Sequence, residues 1–246
     1  MDAKTPAKTT PKTPAKTRGK AAKPAGPKAG AKSASAAAKF EPLDLSHQEI
    51  KAIVFGIMLA MFLGALDQTI VATALPTIGV HFGNLAELSW VVTAYLLTAT
   101  TVTPLYGKLS DIHGRRGMMM AAIGLFVAGS IACALAPSMT ALILGRGLQG
   151  LGGGGLMALS QTIIADVVSP RERGRYQAYI TSMFGTAALA GPLIGGLSVD
   201  YLSWRWAFWI NLPLGAVAFF LCHRGLARVV VKREKRPIDY RGAALL

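Results

Sequence analysis

The sequence predicts an all-α integral membrane protein in which six membrane-spanning helices follow a disordered basic tail. Hydrophobic residues make up 52% of the 246 residues and charged residues only 15%, whereas a soluble domain carries about 25% charged residues. From Lys51 onward, apolar stretches long enough to cross a hydrocarbon core of ~30 Å recur between short polar turns. In lipid these stretches must be helical, because every backbone polar group needs an internal partner.

The first 45 residues differ in composition from the rest of the chain. No Leu, Ile, Val or aromatic residue precedes Phe40, and Lys, Pro and Ala dominate. Such a segment buries too little surface to offset its ordering entropy, so we predict that residues 1–45 are a disordered cytoplasmic tail. We interpret its charge as a solvated anchor. Binding to anionic lipid or nucleic acid is the alternative, and nucleic acid is disfavoured because the tail lacks aromatic residues for base stacking.

The predicted bundle occupies residues 46–228. Its spans lie at roughly 51–75, 89–107, 117–136, 139–165, 176–199 and 204–224. Residues 229–246 read as a cytoplasmic linker followed by the start of a further span.

Charged residues in the turns predict the orientation of the bundle. The turns after the second and fourth spans and the segment after the sixth are rich in Lys and Arg, whereas the opposite turns hold Glu87, Asp200 and Arg205. The positive-inside rule places the basic set in the cytoplasm. We therefore expect a multi-pass protein of the plasma or inner membrane with both termini cytoplasmic.

Asp67 is the one acid in the apolar part of the first span. It lies about sixteen residues, or ~24 Å of helix rise, beyond Lys51. A carboxylate at this depth is costly and disfavours its charged form, which suits a group that binds and releases protons or contacts a cationic substrate. The alternative is a structural polar group near the interface.

The fourth span contains a second charged residue, Arg146, followed by Gln149. Arginine keeps its charge, so in lipid it needs a partner, a water-filled cavity or a route to the interface. We interpret Asp67, Gln68, Arg146 and Gln149 as a proton-coupling and substrate cavity, with an interfacial Arg146 as the alternative.

A charged turn and a glycine-rich helix complete the candidate site. The turn between the second and third spans holds Asp111 and Arg115, four residues apart, with Asp166 as a second acid on the same side. In the fifth span, small residues would let a neighbouring helix approach closely, while a proline bends the helix. This packing motif consists of Gly191, Pro192, Gly195 and Gly196.

The sequence shows no pattern typical of an enzyme or of a metal site. The four histidines lack ligand spacing, and there are no paired catalytic acids or nucleophile–base arrangements. Cys133 and Cys222 lie in apolar runs and read as buried thiols. We therefore expect neither an enzyme nor a bound cofactor or metal.

Together these motifs resemble the major facilitator superfamily. The turn resembles its signature between helices two and three, with Ile112 departing where a basic residue is common. The matching positions are Gly107, Leu109, Asp111, Gly114, Arg115 and Arg116. Segments 66–76 and 204–213, with the Arg146 and Gly191 motifs, are similar to the fourteen-span drug:proton antiporters.

The resemblance implies a bundle built as a three-plus-three inverted repeat, and residues 68–72 do resemble residues 161–165. It implies that Asp67 is a protonation site assisted by Arg146, that Arg115 bridges Asp111 and Asp166 in a gating loop, and that Asp111 caps a helix of the other half. The Gly191 face would also contact that half.

The implied activity is proton-driven export of small amphipathic drugs or metabolites, with the proton gradient as energy source. Its partners would be the lipid bilayer, the substrate, protons, and a C-terminal half or second chain, because we expect a truncated transporter. The alternative is a non-transporting, degenerate half whose basic tail binds lipid or nucleic acid.

Overall fold

The computed structural model describes residues 46–228, and these residues form a bundle of helices without β-strands. The predicted tail, residues 1–45, and the predicted linker, residues 229–246, lie outside the described residues. The helices are α1 (His47–Phe82), α2 (Leu88–His113), α3 (Arg115–Ala134), α4 (Met139–Val167), α5 (Arg173–Tyr201), α6 (Trp206–Trp209) and α7 (Asn211–Gly225), with a 3₁₀ turn at Leu226–Arg228.

Helix α1 extends past the predicted end of the first span. It begins at a capping box in which Ser46 and Glu49 bond each other's backbone N–H groups, and it ends at Gly83, whose φ is 66°. The first span was predicted to end near residue 75, but Pro76 lies inside the helix. The helix continues because Ala74 and Ile78, on either side of the proline, are fully buried against the bundle, so tertiary packing outweighs the lost hydrogen bond.

The predicted turn between the second and third spans is almost entirely helical. α2 continues to His113 and α3 begins at Arg115, so Gly114 alone separates them, with φ 92° and ψ 143°. A side chain is strained at this φ, and glycine allows the chain to change direction in one residue. The turn is therefore shorter than the sequence suggested.

The sixth predicted span consists of two helices, α6 and α7. The break falls at Ile210, four residues after Trp206. Pro213 has no N–H to donate to the carbonyl of Trp209, so the hydrogen-bond ladder is interrupted there. Together α6 and α7 are long and apolar enough to cross a membrane.

Hydropathy supports five of the six spans, and packing identifies the remaining one. Among the described residues, α1, α2, α3, α5 and the α6–α7 pair are long and apolar enough to cross a membrane. α4 is long enough at 29 residues but carries Arg146, Gln149 and several glycines. It packs extensively against both α2 and α3. A Cβ at Gly152 or Gly154 would collide with the backbone of Phe126 or Ala99, so glycine permits this close approach.

The pairs of packed helices repeat along the chain. α1 packs on α5 much as α4 packs on α2, and α1 packs on α7 as α4 packs on α3. This is the pairing expected if α1–α3 correspond to α4–α7. Residues 68–72 and 161–165, which have similar sequences, lie on the corresponding helices α1 and α4.

Candidate functional site

Asp67 lies at the centre of a buried hydrogen-bond network. Its Oδ2 accepts a hydrogen bond from Arg146 Nη1 at 2.6 Å. Its Oδ1 accepts from Gln149 Nε2 at 2.8 Å and from Asn211 Nδ2 at 2.7 Å. All four side chains are 0% exposed, so α1, α4 and α7 together enclose a carboxylate whose hydrogen-bonding partners are all N–H groups.

Arg146 is held in place from several directions. Nη1 also donates to Gln149 Oε1 at 2.8 Å, Nε donates to the carbonyl of Val91 at 3.3 Å, and Nη2 donates to Gln68 Oε1 at 3.4 Å. The guanidinium carbon lies 4.4 Å from the ring centroid of Tyr95, a cation–π distance. Arg146 is therefore neither interfacial nor exposed in a cavity. It neutralises Asp67, for which the sequence offered no nearby counter-ion.

Helix α3 contributes Ser130 and Cys133 to the same network. Ser130 Oγ accepts from Gln149 Nε2 at 2.7 Å and from Asn211 Nδ2 at 3.1 Å. Cys133 Sγ lies 3.8 Å from Gln149 Oε1. Polar side chains from four helices thus meet at one buried point around Asp67.

A cavity of about 480 Å³ lies beside this network. Helices α1, α2, α4 and α5 line it, mostly with small and apolar residues and with the polar side chains of Gln68, Thr69 and Tyr95. Of the four predicted cavity residues, only Gln68 lines it. Asp67, Arg146 and Gln149 do not, because they are buried in the hydrogen-bond network between α1, α3, α4 and α7. Gln68 and Tyr95 line the cavity and also contact Arg146.

The predicted gating residues form a second cluster at one end of the bundle. Arg115 Nη1 contacts Asp111 Oδ1 at 2.6 Å and Ser110 Oγ, and Nε donates to Asp166 Oδ2 at 2.9 Å. The pairing with Asp111 was expected from a helical turn, yet it forms across the break at Gly114. The Arg115 side chain is 7% exposed, against 51% for Asp111.

The predicted gating loop also includes three residues of the signature turn that do not join this cluster: Gly107, Gly114, which separates α2 from α3, and Arg116. Arg116 Nη2 contacts Nε2 of His223 in α7 at 2.7 Å. At Gly107, no described atom lies within 4 Å of the position that a Cβ would occupy.

The glycine face of α5 packs within the bundle. A Cβ at Gly191 would collide with the side chain of Thr69, and one at Gly195 would lie 3.1 Å from the carbonyl oxygen of Ile70. Gly191 and Gly195 thus allow the close approach of a neighbouring helix that was predicted for this motif, and the helix that covers them is α1 of the same bundle. Two neighbouring residues point elsewhere: Pro192 is exposed, and a Cβ at Gly196 would have no described neighbour within 4 Å.

A family model described as Major Facilitator Superfamily matches residues 57–243. The chain belongs to this superfamily. It is a multi-pass membrane protein of a transporter family, not an enzyme.

Relatives of this chain include proteins named as a multidrug transporter and as an efflux pump. It is 44% identical over 188 residues to the multidrug transporter protein MdtP of Bacillus subtilis (strain 168), covering 76% of this chain and 34% of the relative. It is 46% identical over 166 residues to the efflux pump dotC of Dothistroma septosporum, covering 68% of this chain and 28% of the relative. The chain thus spans about a third of the length of these curated relatives.

Solved structures of the superfamily share the fold at low sequence identity. The human organic anion transporter MFSD10 (TETRAN) matches with a TM-score of 0.67 at 22% identity, covering 79% of this chain and 52% of that one. A D-xylose-proton symporter matches with a TM-score of 0.63 at 18% identity, covering 80% and 50%. These matches agree with the helical bundle predicted from the sequence.

Four residues around Asp67 were not among the predicted site residues of this superfamily member: Tyr95, Ser130, Asn211 and Cys133, which was predicted only as a buried thiol. Asn211 carried a usable signal, because a lone amide near the start of an apolar helix needs a polar partner. Tyr95 and Ser130 carried none, since such residues are common in spanning helices. Within the described residues, no group of three or more His, Cys, Asp or Glu could hold a metal ion.

Proposed function

We propose that this bundle is one half of a proton-coupled antiporter that exports small amphipathic molecules. The observation that carries the proposal is the fully buried Asp67–Arg146 pair beside a cavity whose wall contacts Arg146 through Gln68 and Tyr95. Ionisable groups within a membrane domain usually serve ion or substrate pathways. The named efflux and multidrug relatives point to export as the direction of transport.

Proton binding at Asp67 would change the network that touches the cavity. Protonation removes the negative charge that Arg146 Nη1 contacts, and the guanidinium would then depend on Gln149, Val91 and Gln68. Because Gln68 lines the cavity, a shift of Arg146 would reach the substrate. This provides a short physical path for exchanging a proton against a substrate.

The lining of the cavity favours amphipathic substrates. Apolar side chains such as Leu96, Met157 and Phe184 supply most of it, while the charged pair lies behind it. The hydroxyls of Thr100 and Thr103, which also line the cavity, already donate to backbone carbonyls. A substrate would gain mainly from burial of apolar surface, with a few polar groups to orient it.

The proposed transporter needs a second bundle. Alternating access in this fold is a movement of two bundles about a site near the membrane midplane. α2 and α5 expose large apolar side chains, including Leu97 and Leu193, at 59% and 69%, and these faces are our candidates for the contact. The second bundle would come from further chain or from a second polypeptide.

The test uses everted membrane vesicles that carry this bundle together with its second half. With an imposed pH gradient, we expect uptake of an amphipathic fluorescent dye and a release of protons when the dye is added. Collapsing the gradient with an ionophore should abolish both signals. Dye uptake at the same rate with and without the pH gradient would contradict proton coupling. Absence of uptake would favour a non-transporting membrane anchor.

A further inference from the structure

Asn211 differs from the other residues of the Asp67 network because half of its side-chain amide is unused. Nδ2 donates to Asp67 Oδ1 at 2.7 Å and to Ser130 Oγ at 3.1 Å. Oδ1 is buried and has no hydrogen-bond partner among the described residues. A buried carbonyl oxygen without a hydrogen bond costs free energy. The network therefore contains a hydrogen-bond acceptor next to the Asp67 carboxylate that no described donor uses.

Gln149, the second amide at this point, is fixed in one orientation. Its Oε1 accepts from Arg146 Nη1 at 2.8 Å, while its Nε2 donates to Asp67 and Ser130. Turning this amide over would place its NH₂ group against the guanidinium. Asn211 Oδ1 accepts no hydrogen bond from the described residues, so rotating this amide by 180° breaks no hydrogen bond at the oxygen.

A proton bound to Asp67 needs an acceptor, because a protonated carboxyl group becomes a hydrogen-bond donor. The groups that hydrogen bond to Asp67 in this structure are all donors: Arg146, Gln149 and Asn211. The other titratable groups facing the network are Tyr95 from α2 and Cys133 from α3. Of the amides that bond Asp67, only that of Asn211 can present an oxygen without breaking a contact to Arg146.

We propose that the Asn211 amide turns over when Asp67 binds a proton, so that Asn211 accepts the hydrogen bond of the protonated carboxyl group. The proton forms an O–H bond at Asp67 Oδ1 and stays there, while Arg146 keeps its charge. Asn211 Oδ1 then accepts from Asp67 and from the hydroxyl of Ser130. Two hydrogen bonds form in either orientation, so the amide serves both states of the carboxyl group.

This inference rests on the proposed function, in which Asp67 carries the proton. In this proposal Asn211 is a positioning residue, which orients the carboxyl group of Asp67 as that group binds and releases a proton. The turn of one amide couples α7 to the protonation of α1, because Asn211 is the first residue of α7.

The sequence permits a direct spectroscopic test, because it contains two asparagines, Asn84 and Asn211. Asn84 lies in the turn after α1, where its Oδ1 accepts from the Glu87 N–H at 3.3 Å, and Asn84→Ser keeps an acceptor there. The full chain carrying Asn84→Ser, with ¹³C at the asparagine side-chain carbonyl, reports on Asn211 alone. Infrared difference spectra in lipid nanodiscs are recorded as the pH is lowered.

We expect the labelled carbonyl band to move to lower frequency on acidification, because a free oxygen gains two hydrogen bonds. The shift should accompany the appearance of a protonated carboxyl band and should be absent in Asp67→Leu, which removes the carboxyl group without adding a labelled asparagine. A carboxyl band that depends on Asp67, without any change at Asn211, would overturn the inference but leave the proposed function intact. Absence of any carboxyl band that depends on Asp67 would overturn both.

A substitution provides an independent check. In Asn211→Leu, the protonated carboxyl group of Asp67 loses its acceptor, so its C=O band should shift from the wild-type position. A residue that served only as a donor to the ionised carboxylate would leave the band of the protonated form unchanged, and that result would also overturn the inference.

Discussion

Arg115 at the start of α3 donates through Nε to Asp166 Oδ2 near the end of α4, at 2.9 Å. The two residues are 51 positions apart in the chain. The same guanidinium contacts Asp111 near the end of α2, so one arginine ties together three helix ends. This cluster lies at the end of the bundle where the basic turns are found, away from the buried Asp67.

This geometry predicts that Arg115 and Asp166 act as a unit. In a double-mutant cycle, Arg115→Ala and Asp166→Ala should be non-additive, with an interaction energy of about 0.5–3 kcal/mol. The measurement is thermal unfolding in detergent, repeated with transport rates. The matched control pairs Asp166→Ala with Arg116→Ala, which should be additive because Arg116 contacts His223 instead. Additivity in the Arg115 cycle would remove the proposed link.

The buried pair predicts two separate effects of Asp67→Asn. Proton-coupled efflux should be lost, because the amide cannot bind a proton as a carboxylate does. The structure also predicts a loss of stability, because Arg146 would be left buried without its counter-ion. Breaking such a pair costs about 3–5 kcal/mol. Efflux assays and thermal unfolding of the same preparations measure the two effects.

The double substitution Asp67→Asn with Arg146→Gln separates the loss of proton coupling from the loss of stability. It removes both charges, so it should recover part of the lost stability and still fail to couple efflux to the proton gradient. Wild-type dependence of efflux on the gradient in either variant would assign Asp67 a structural role only.

The contact between α5 and α1 predicts a position-specific effect of added volume. Gly191→Ala places a methyl group against the side chain of Thr69, where Thr69 Oγ1 also donates to the carbonyl of Ala187 at 3.1 Å. Overpacking of this kind costs about 1–3 kcal/mol, so the unfolding temperature should fall. Gly196→Ala on the same helix has open space and serves as the control. Equal stability of the two variants would contradict the described contact.

The distribution of charge predicts the orientation of the bundle. After Cys133 and Cys222 are replaced by Ala, a single cysteine at Ser169, in the turn between α4 and α5, should resist an impermeant thiol reagent applied to intact cells. A single cysteine at Leu85, which is 67% exposed in the turn between α1 and α2, should react. Reaction at Ser169 from outside would reverse the proposed topology.

The sequence by itself determined the membrane class, the approximate positions of the spans and the choice of Asp67 and Arg146 as unusual residues. Each of these depends on local composition, since burial in lipid penalises every charge and every unpaired backbone group regardless of its distant neighbours. The superfamily could also be predicted, because its motifs are short and contiguous. Helix ends differed from those predicted at Pro76 and at the turn around Gly114.

Only the tertiary structure decided which polar groups meet. Asp67 lies 79 residues from Arg146 and 144 from Asn211, and their contacts depend on how α1, α4 and α7 are rotated against one another. The same rotations place Gly191 on Thr69 inside the bundle and leave Gln68, rather than Asp67, on the cavity wall. Apolar periodicity leaves these rotations open in a membrane, because lipid is as apolar as the helix faces, and close packing and buried hydrogen bonds select among them.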